Sequence, residues 1–294
     1  MIIAISGGLG NQMFQYAYMI SQKKRHPECN IYGDLSIIQD YHTHNGFELE
    51  RVFSDKIHIE YCNEQIHEKL RTKKTFVYRA LRKIGLKNVG KPKSLQDKAN
   101  GFDPYFTSAF DENEYLTGWW QSPKYFCDVE KEIKNTFKFP VLEDKMNVQN
   151  MDMIKHTNSV GIHVRRGDYL KYSEYMNLGE SQYYNKAIEH IKSQEKGKIT
   201  WFVFSNDIEW CKQNLPFDKC DSCVYITNNT GVDSYKDMQL MASCKKLIIA
   251  NSSFSWWAGY LNEYGKIIAP EKYFTDNQRF NNDIYPENWE RISV

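Results

Sequence analysis

A chain of 294 residues, 41% hydrophobic and 26% charged, is a folded globular protein with room for two domains of ordinary size. A formal net charge of +1 excludes a global field that would draw it to nucleic acid, although Lys69 to Lys93 form a locally basic stretch with no acid in it. The 7 cysteines are odd in number and scattered, no apolar run reaches the ~18 residues of a membrane span, and the apolar start is too short for a signal peptide, so a cytoplasmic protein without a disulfide framework is expected.

The chain opens with a short apolar run, Met1 to Ile5, and a glycine-rich turn, Ser6-Gly7-Gly8-Leu9-Gly10. Asn11 can cap a helix that follows through Met13, Phe14, Ala17 and Ile20. Asn30 to Asp34 reads as a second strand, and the basic stretch carries Val77, Leu81 and Ile84 at helical spacing. Tyr115 to Gln121 looks extended, and Val129 to Phe137 fits a helix closing the first half. Four strands are expected beyond residue 150: Ser159 to Val164, Ile199 to Ser205, Lys246 to Ala250 and Lys266 to Ala269. Helical segments alternate with them at Ser181 to Ser193, Asp233 to Cys244 and Ser255 to Asn262, which implies parallel βαβ units and an α/β fold. The best boundary between the halves falls near residue 150.

Three segments carry chemistry. His163-Val164-Arg165-Arg166-Gly167-Asp168-Tyr169 follows a buried strand, where α/β folds bind ligands. Guanidinium groups there suit phosphate. On an extended backbone the two arginines point opposite ways, so one faces a ligand and the other pairs with Asp168 or another internal carboxylate. Ala250-Asn251-Ser252-Ser253-Phe254-Ser255-Trp256-Trp257-Ala258 leaves another strand and opens a helix, with Ser252 and Ser253 placed to bind an anion and the tryptophans placed to pack. Gly7-Gly8-Leu9-Gly10-Asn11-Gln12 could cradle a phosphate, but Met13 stands where the dinucleotide fingerprint needs its third glycine, and no lysine makes it a P-loop. Close backbone approach to a ligand in a cleft is its other use, with Asn11 and Gln12 as polar contacts. Cys220-Asp221-Ser222-Cys223 lacks the second Cys pair of a structural zinc site.

Together these segments resemble the α-1,2-fucosyltransferases of bacterial O-antigen and capsule synthesis. The resemblance takes in GGLGNQMFQYA from Gly7, GWWQSPKYF from Gly118, HVRRGDY from His163, FSND from Phe204 and NSSFSWW from Asn251, nearly the whole chain. It implies a GT-B fold, with an acceptor-side Rossmann-like domain (1–150) facing a GDP-sugar-binding one (151–294) across a cleft. It further implies GDP-β-L-fucose as donor, the 2-hydroxyl of a terminal galactose as acceptor, inversion of configuration, and no metal or other cofactor; the chain also lacks a D-x-D motif. Arg165 would neutralise the leaving phosphate, Ser252, Ser253 and the Phe254 backbone would complete its cradle, and His163, Asn206 and Asp207 would meet the base. Asp168 and Glu174 are the candidates for a catalytic base. Gly8, Asn11, Gln12, Trp119 and Gln121 are the residues expected at the cleft on the acceptor side. A lipid-linked acceptor would suit peripheral contact of Lys69 to Lys93 with an anionic membrane, although a solvated helix face explains the same charges. The nearest rival is a transferase of the same fold using another GDP-sugar; outside the resemblance, a sugar-nucleotide oxidoreductase and a non-catalytic glycan-binding module using Trp119-Trp120 are the rival classes.

Overall fold

The computed structural model describes residues 1–40, 45–63, 65–66, 80–81, 83, 85, 93–97, 101–108, 114–167, 173–217, 222–275 and 278–294. Among these, two parallel sheets divide the chain. The first joins β1 (Ile2–Ala4), β2 (Tyr32–Asp34), β3 (Glu60–Tyr61), β4 (Lys93–Gln96) and β5 (Glu114–Thr117) in the order β3-β2-β1-β5-β4. The second joins β6 (Ser159–Val164), β7 (Thr200–Ser205), β8 (Ser222–Ile226), β9 (Lys246–Ile248), β10 (Ile267–Pro270) and β11 (Glu290–Ile292) in the order β11-β10-β9-β6-β7-β8. The second order is that of a dinucleotide-binding fold: three strands run one way from the first strand, then three run the other. The chain reverses between β6 and β9, which pair in register Ile162 to Ile248. In the first sheet the corresponding gap lies between β1 and β5, paired Ile3 to Leu116.

The apolar runs predict the buried strands well. β6 is buried at all six positions, and β7 at five of six. β8 and β11 escape the sequence pattern because they sit at sheet edges: β8 is only partly buried until Ile226, and Glu290 and Arg291 of β11 are exposed. Residue 150 lies inside the helix Lys145–His156, which is capped by Asp144 and packs on β6 and on the helix Tyr235–Ala242. That helix therefore sits with the C-terminal sheet.

One apolar core runs through both halves. Helix α1 (Leu9–Arg25) buries Met13, Phe14 and Ala17 completely. The helix Ser253–Tyr260 buries Trp256 and Trp257 completely. The Phe14 ring lies 4.5 Å from that of Trp256 and 4.9 Å from that of Trp257. The tryptophans expected to pack do so, and they pack across the two sheets.

Candidate active site

The reversal between β6 and β9 places His163 to Gly167 beside Asn251 to Phe254. His163, next to last in β6, is almost fully buried, its ring 6.0 Å from that of Phe254. Its Nδ1 is buried with no hydrogen-bond partner among the described residues. Burial, reinforced by the charge of Arg165, pushes this imidazole down to about 3, so it is neutral at physiological pH. Arg165 follows the strand, half-buried. Across from it Ser252 is the N-cap of the helix Ser253–Tyr260, buried, with extended backbone (φ −138°, ψ 131°). Its carbonyl accepts the Trp256 N–H at 2.9 Å, but its hydroxyl does not cap the helix. Ser253 and Phe254 form the first turn, both partly exposed. A fixed cation and the positive end of a helix thus flank one switch point, an arrangement suited to phosphate.

The second arginine does a different job. Arg166 donates from Nε to Asp207 Oδ2 at 3.3 Å, and its guanidinium carbon lies 4.4 Å over the Trp210 ring. Asp207 also caps the helix Ile208–Asn214 by accepting the Trp210 N–H at 3.1 Å. Asp207, expected at the nucleotide base, is therefore held as partner and cap: it is the internal carboxylate that one arginine needed. Asn206 is exposed, and its Oδ1 accepts the Arg166 N–H at 3.0 Å. Gly167 (φ +37°) wraps over it, since a Cβ there would lie 2.3 Å from Asn206 Nδ2.

The glycine turn occupies the matching gap in the first sheet. Helix α1 starts at Leu9, with Gly8 rather than Asn11 as its N-cap. The reason is tertiary. Glu48, almost fully buried, accepts the Leu9 N–H through Oε2 at 3.1 Å and holds Arg51 at 2.7 Å through Oε1. A distant carboxylate caps the helix, which no local pattern reveals. Gln12 is fully buried and donates to the carbonyls of Gly7 and Gly46 while accepting the Glu48 N–H at 2.8 Å. Expected at the cleft, it instead pins the turn: it is fully buried and both of its amide donors are spent on backbone carbonyls. The Gly8 carbonyl accepts the Asn11 and Gln12 N–H groups. Asn11 Oδ1 accepts from Gln121 Nε2 at 2.8 Å, and Trp119 lies against Gly7. Asn11 and Trp119 are both partly exposed, so these two expected residues meet at the mouth of the turn. Trp120 is core: it is fully buried and stacked on Tyr18 at 4.5 Å.

Of the two candidate bases, Asp168 lies outside the described residues. Glu174 is exposed, and its carbonyl accepts the Thr275 N–H at 3.0 Å. This joins residues 173–176 to 273–275, next to the serine turn: Asn251 donates to the carbonyls of Met176 and Tyr273 at 2.9 and 3.0 Å. Sequence reasoning missed Asp237, which accepts from Asn229 Nδ2 at 2.7 Å and is pushed up to about 7 by burial. The only sequence signal is an acid directly before the buried Met238 and close to Leu240 and Met241. Cys220 and most of the Lys69 to Lys93 stretch lie outside the described residues. Among the described residues, no group of three His, Cys, Asp or Glu side chains is set to hold a metal ion, and no helix is long and apolar enough to cross a membrane.

Comparison with known proteins decides what this double turn belongs to. The model of glycosyl transferase family 11 matches residues 1–293. The chain belongs to that family. Among its family relatives is an alpha-1,2-colitosyltransferase of Escherichia coli, 32% identical over 99% of this chain and 98% of that protein. Galactoside alpha-(1,2)-fucosyltransferase 1 of Lagothrix lagotricha is 26% identical over 54% of this chain and 50% of that protein. Among solved structures, a mutant of Arabidopsis thaliana FUT1 in complex with GDP shares the fold, with a TM-score of 0.50 and 11% identity over 91% of this chain and 69% of that one. The family 11 chain is thus a glycosyltransferase of GT-B architecture, as the resemblance implied.

Proposed function

We propose that this family 11 enzyme transfers L-fucose from GDP-β-L-fucose to the 2-hydroxyl of a terminal galactose, with inversion and without a metal, in the synthesis of an O-antigen or capsule glycan. The observation that carries the reading is the meeting of the two motifs at the β6–β9 switch point, where the His163 and Phe254 rings lie 6.0 Å apart and Arg165 follows the strand paired with the one that leads to the Ser252 turn. As the acceptor oxygen attacks the anomeric carbon, the bond to the β-phosphate oxygen breaks and negative charge gathers on GDP. Arg165 and the N–H groups of the serine turn are preorganised for that charge. The acceptor proton passes to a carboxylate, Asp168 or Glu174, or to water. Comparing D168N with E174Q separates the two: loss of transfer in one variant assigns the base, and full activity in both removes them. Trp119, Asn11 and Gly8 line the acceptor side. The acceptor is free or lipid-linked, and the basic stretch would hold the enzyme near an anionic membrane surface in the second case.

Calorimetric titration with GDP in the presence of chelator, with UDP and NAD as controls, tests the reading first. Selective binding of GDP supports it, and preference for UDP or NAD overturns it. The 32% identical relative, a colitosyltransferase, favours a second donor sugar, colitose, in nucleotide-activated form. Transfer rates with the two donors side by side choose between them.

A further inference from the structure

The glycine turn and the serine turn touch directly. Gly10, in the first turn of α1, packs against the peptide between Ser253 and Phe254, so closely that a Cβ on it would lie 2.6 Å from the Ser253 carbonyl carbon and 2.8 Å from the Phe254 nitrogen. The Gly10 carbonyl accepts the indole N–H of Trp257 at 2.9 Å in a buried hydrogen bond. The Trp257 ring is fully buried and meets three rings from the other half: Phe14 at 4.9 Å, Phe126 stacked at 5.8 Å and Phe137 edge-on at 5.1 Å. A junction this apolar and closely packed does not slide, because side chains that interlock at crystal-like density have few alternative arrangements.

We propose that Gly10 and Trp257 are positioning residues that fix the spacing between the acceptor-side and donor-side turns. The reading rests on the transferase function above. Transfer needs the acceptor oxygen within about 3–3.5 Å of the anomeric carbon. In this enzyme a rigid joint between two helix ends sets that distance, and no hinge closure is required. Binding of GDP and hydrolysis of the donor by water use donor-side residues, Arg165 and the serine turn among them, and need no acceptor-side turn, so they do not depend on the spacing the joint sets; transfer does.

The test compares W257F, which keeps a ring and removes the N–H donor, with G10A, which wedges a methyl group between the turns. GDP affinity is measured by calorimetry. GDP-fucose hydrolysis without acceptor and transfer to a β-galactoside are measured as separate rates. We expect transfer kcat to fall at least tenfold in W257F, with GDP Kd and the hydrolysis rate within about twofold of wild type, and G10A to fall further. A joint that only stabilises the fold lowers transfer and hydrolysis together, and that result overturns the proposal, as does unchanged transfer. Wild-type protein that binds no GDP overturns the transferase reading itself and takes the joint's role with it.

Discussion

The two switch points are built on one plan and finished in opposite ways. Each has a strand, a tight turn and a helix whose first N–H groups face the junction. In the first half the chain fills that position itself: Glu48 accepts the Leu9 N–H, and Gln12 ties the turn to Gly46. A phosphate brought there would meet a carboxylate. In the second half the Ser252 hydroxyl leaves the helix uncapped, and the paired strand β6 is followed by the cation of Arg165. The same geometry therefore serves as scaffold in one half and as anion site in the other. The difference lies in one side chain arriving from 39 residues away.

Breaking the donor side gives the largest effect. R165A lowers transfer by about 100- to 1000-fold, the usual cost of removing one preorganised group at a developing charge, with the fold intact by circular dichroism. Near-normal turnover would remove Arg165 from the reaction. Breaking the acceptor-side cap has the converse signature. E48A leaves a buried N–H and Arg51 without their partner and costs about 1–3 kcal/mol in urea unfolding, while GDP affinity stays as it was. A tenfold change in GDP affinity would show that the two turns are not separate.

Titration sharpens the contrast further. Burial keeps Asp237 protonated up to about 7, whereas the unfolded chain loses that proton near 3.8. Stability from this group therefore falls as pH rises through that window, by at most ~1.4 kcal/mol per unit. His163 has the opposite sign: it stays neutral down to about 3 in the fold but protonates near 6.5 when unfolded, so its contribution falls as pH drops. Denaturant midpoints at pH 5 and pH 7.5 should show D237N gaining on the wild type at the higher value; parallel shifts would refute the assignment. The smallest effect belongs to Ser252. A capping serine replaced by alanine usually costs about 1 kcal/mol, but this hydroxyl does not cap. S252A should therefore unfold within about 0.5 kcal/mol of wild type while binding GDP less tightly.

Much of this was legible in the sequence because buried strands and motif spacing are local signals. The run Ser159 to Val164 forms β6 over that same span, and one arginine of the pair, Arg166, takes an internal carboxylate, Asp207, as its partner. What escaped was tertiary. The α1 cap comes from Glu48, so Asn11 looked like the better cap. The pairing of Asp207 also escaped, because it depends on Arg166, 41 residues earlier. Gln12 looked like a polar cleft residue because nothing local says that both its donors meet carbonyls.

The shared aromatic core also governs how the chain is made. Phe14, Phe126 and Phe137 leave the ribosome well before Trp257, the ring that covers them. Until the helix Ser253–Tyr260 is synthesised, the first half carries an uncovered apolar face. Nascent N-terminal fragments are accordingly the aggregation-prone species, because transiently exposed apolar surface drives association.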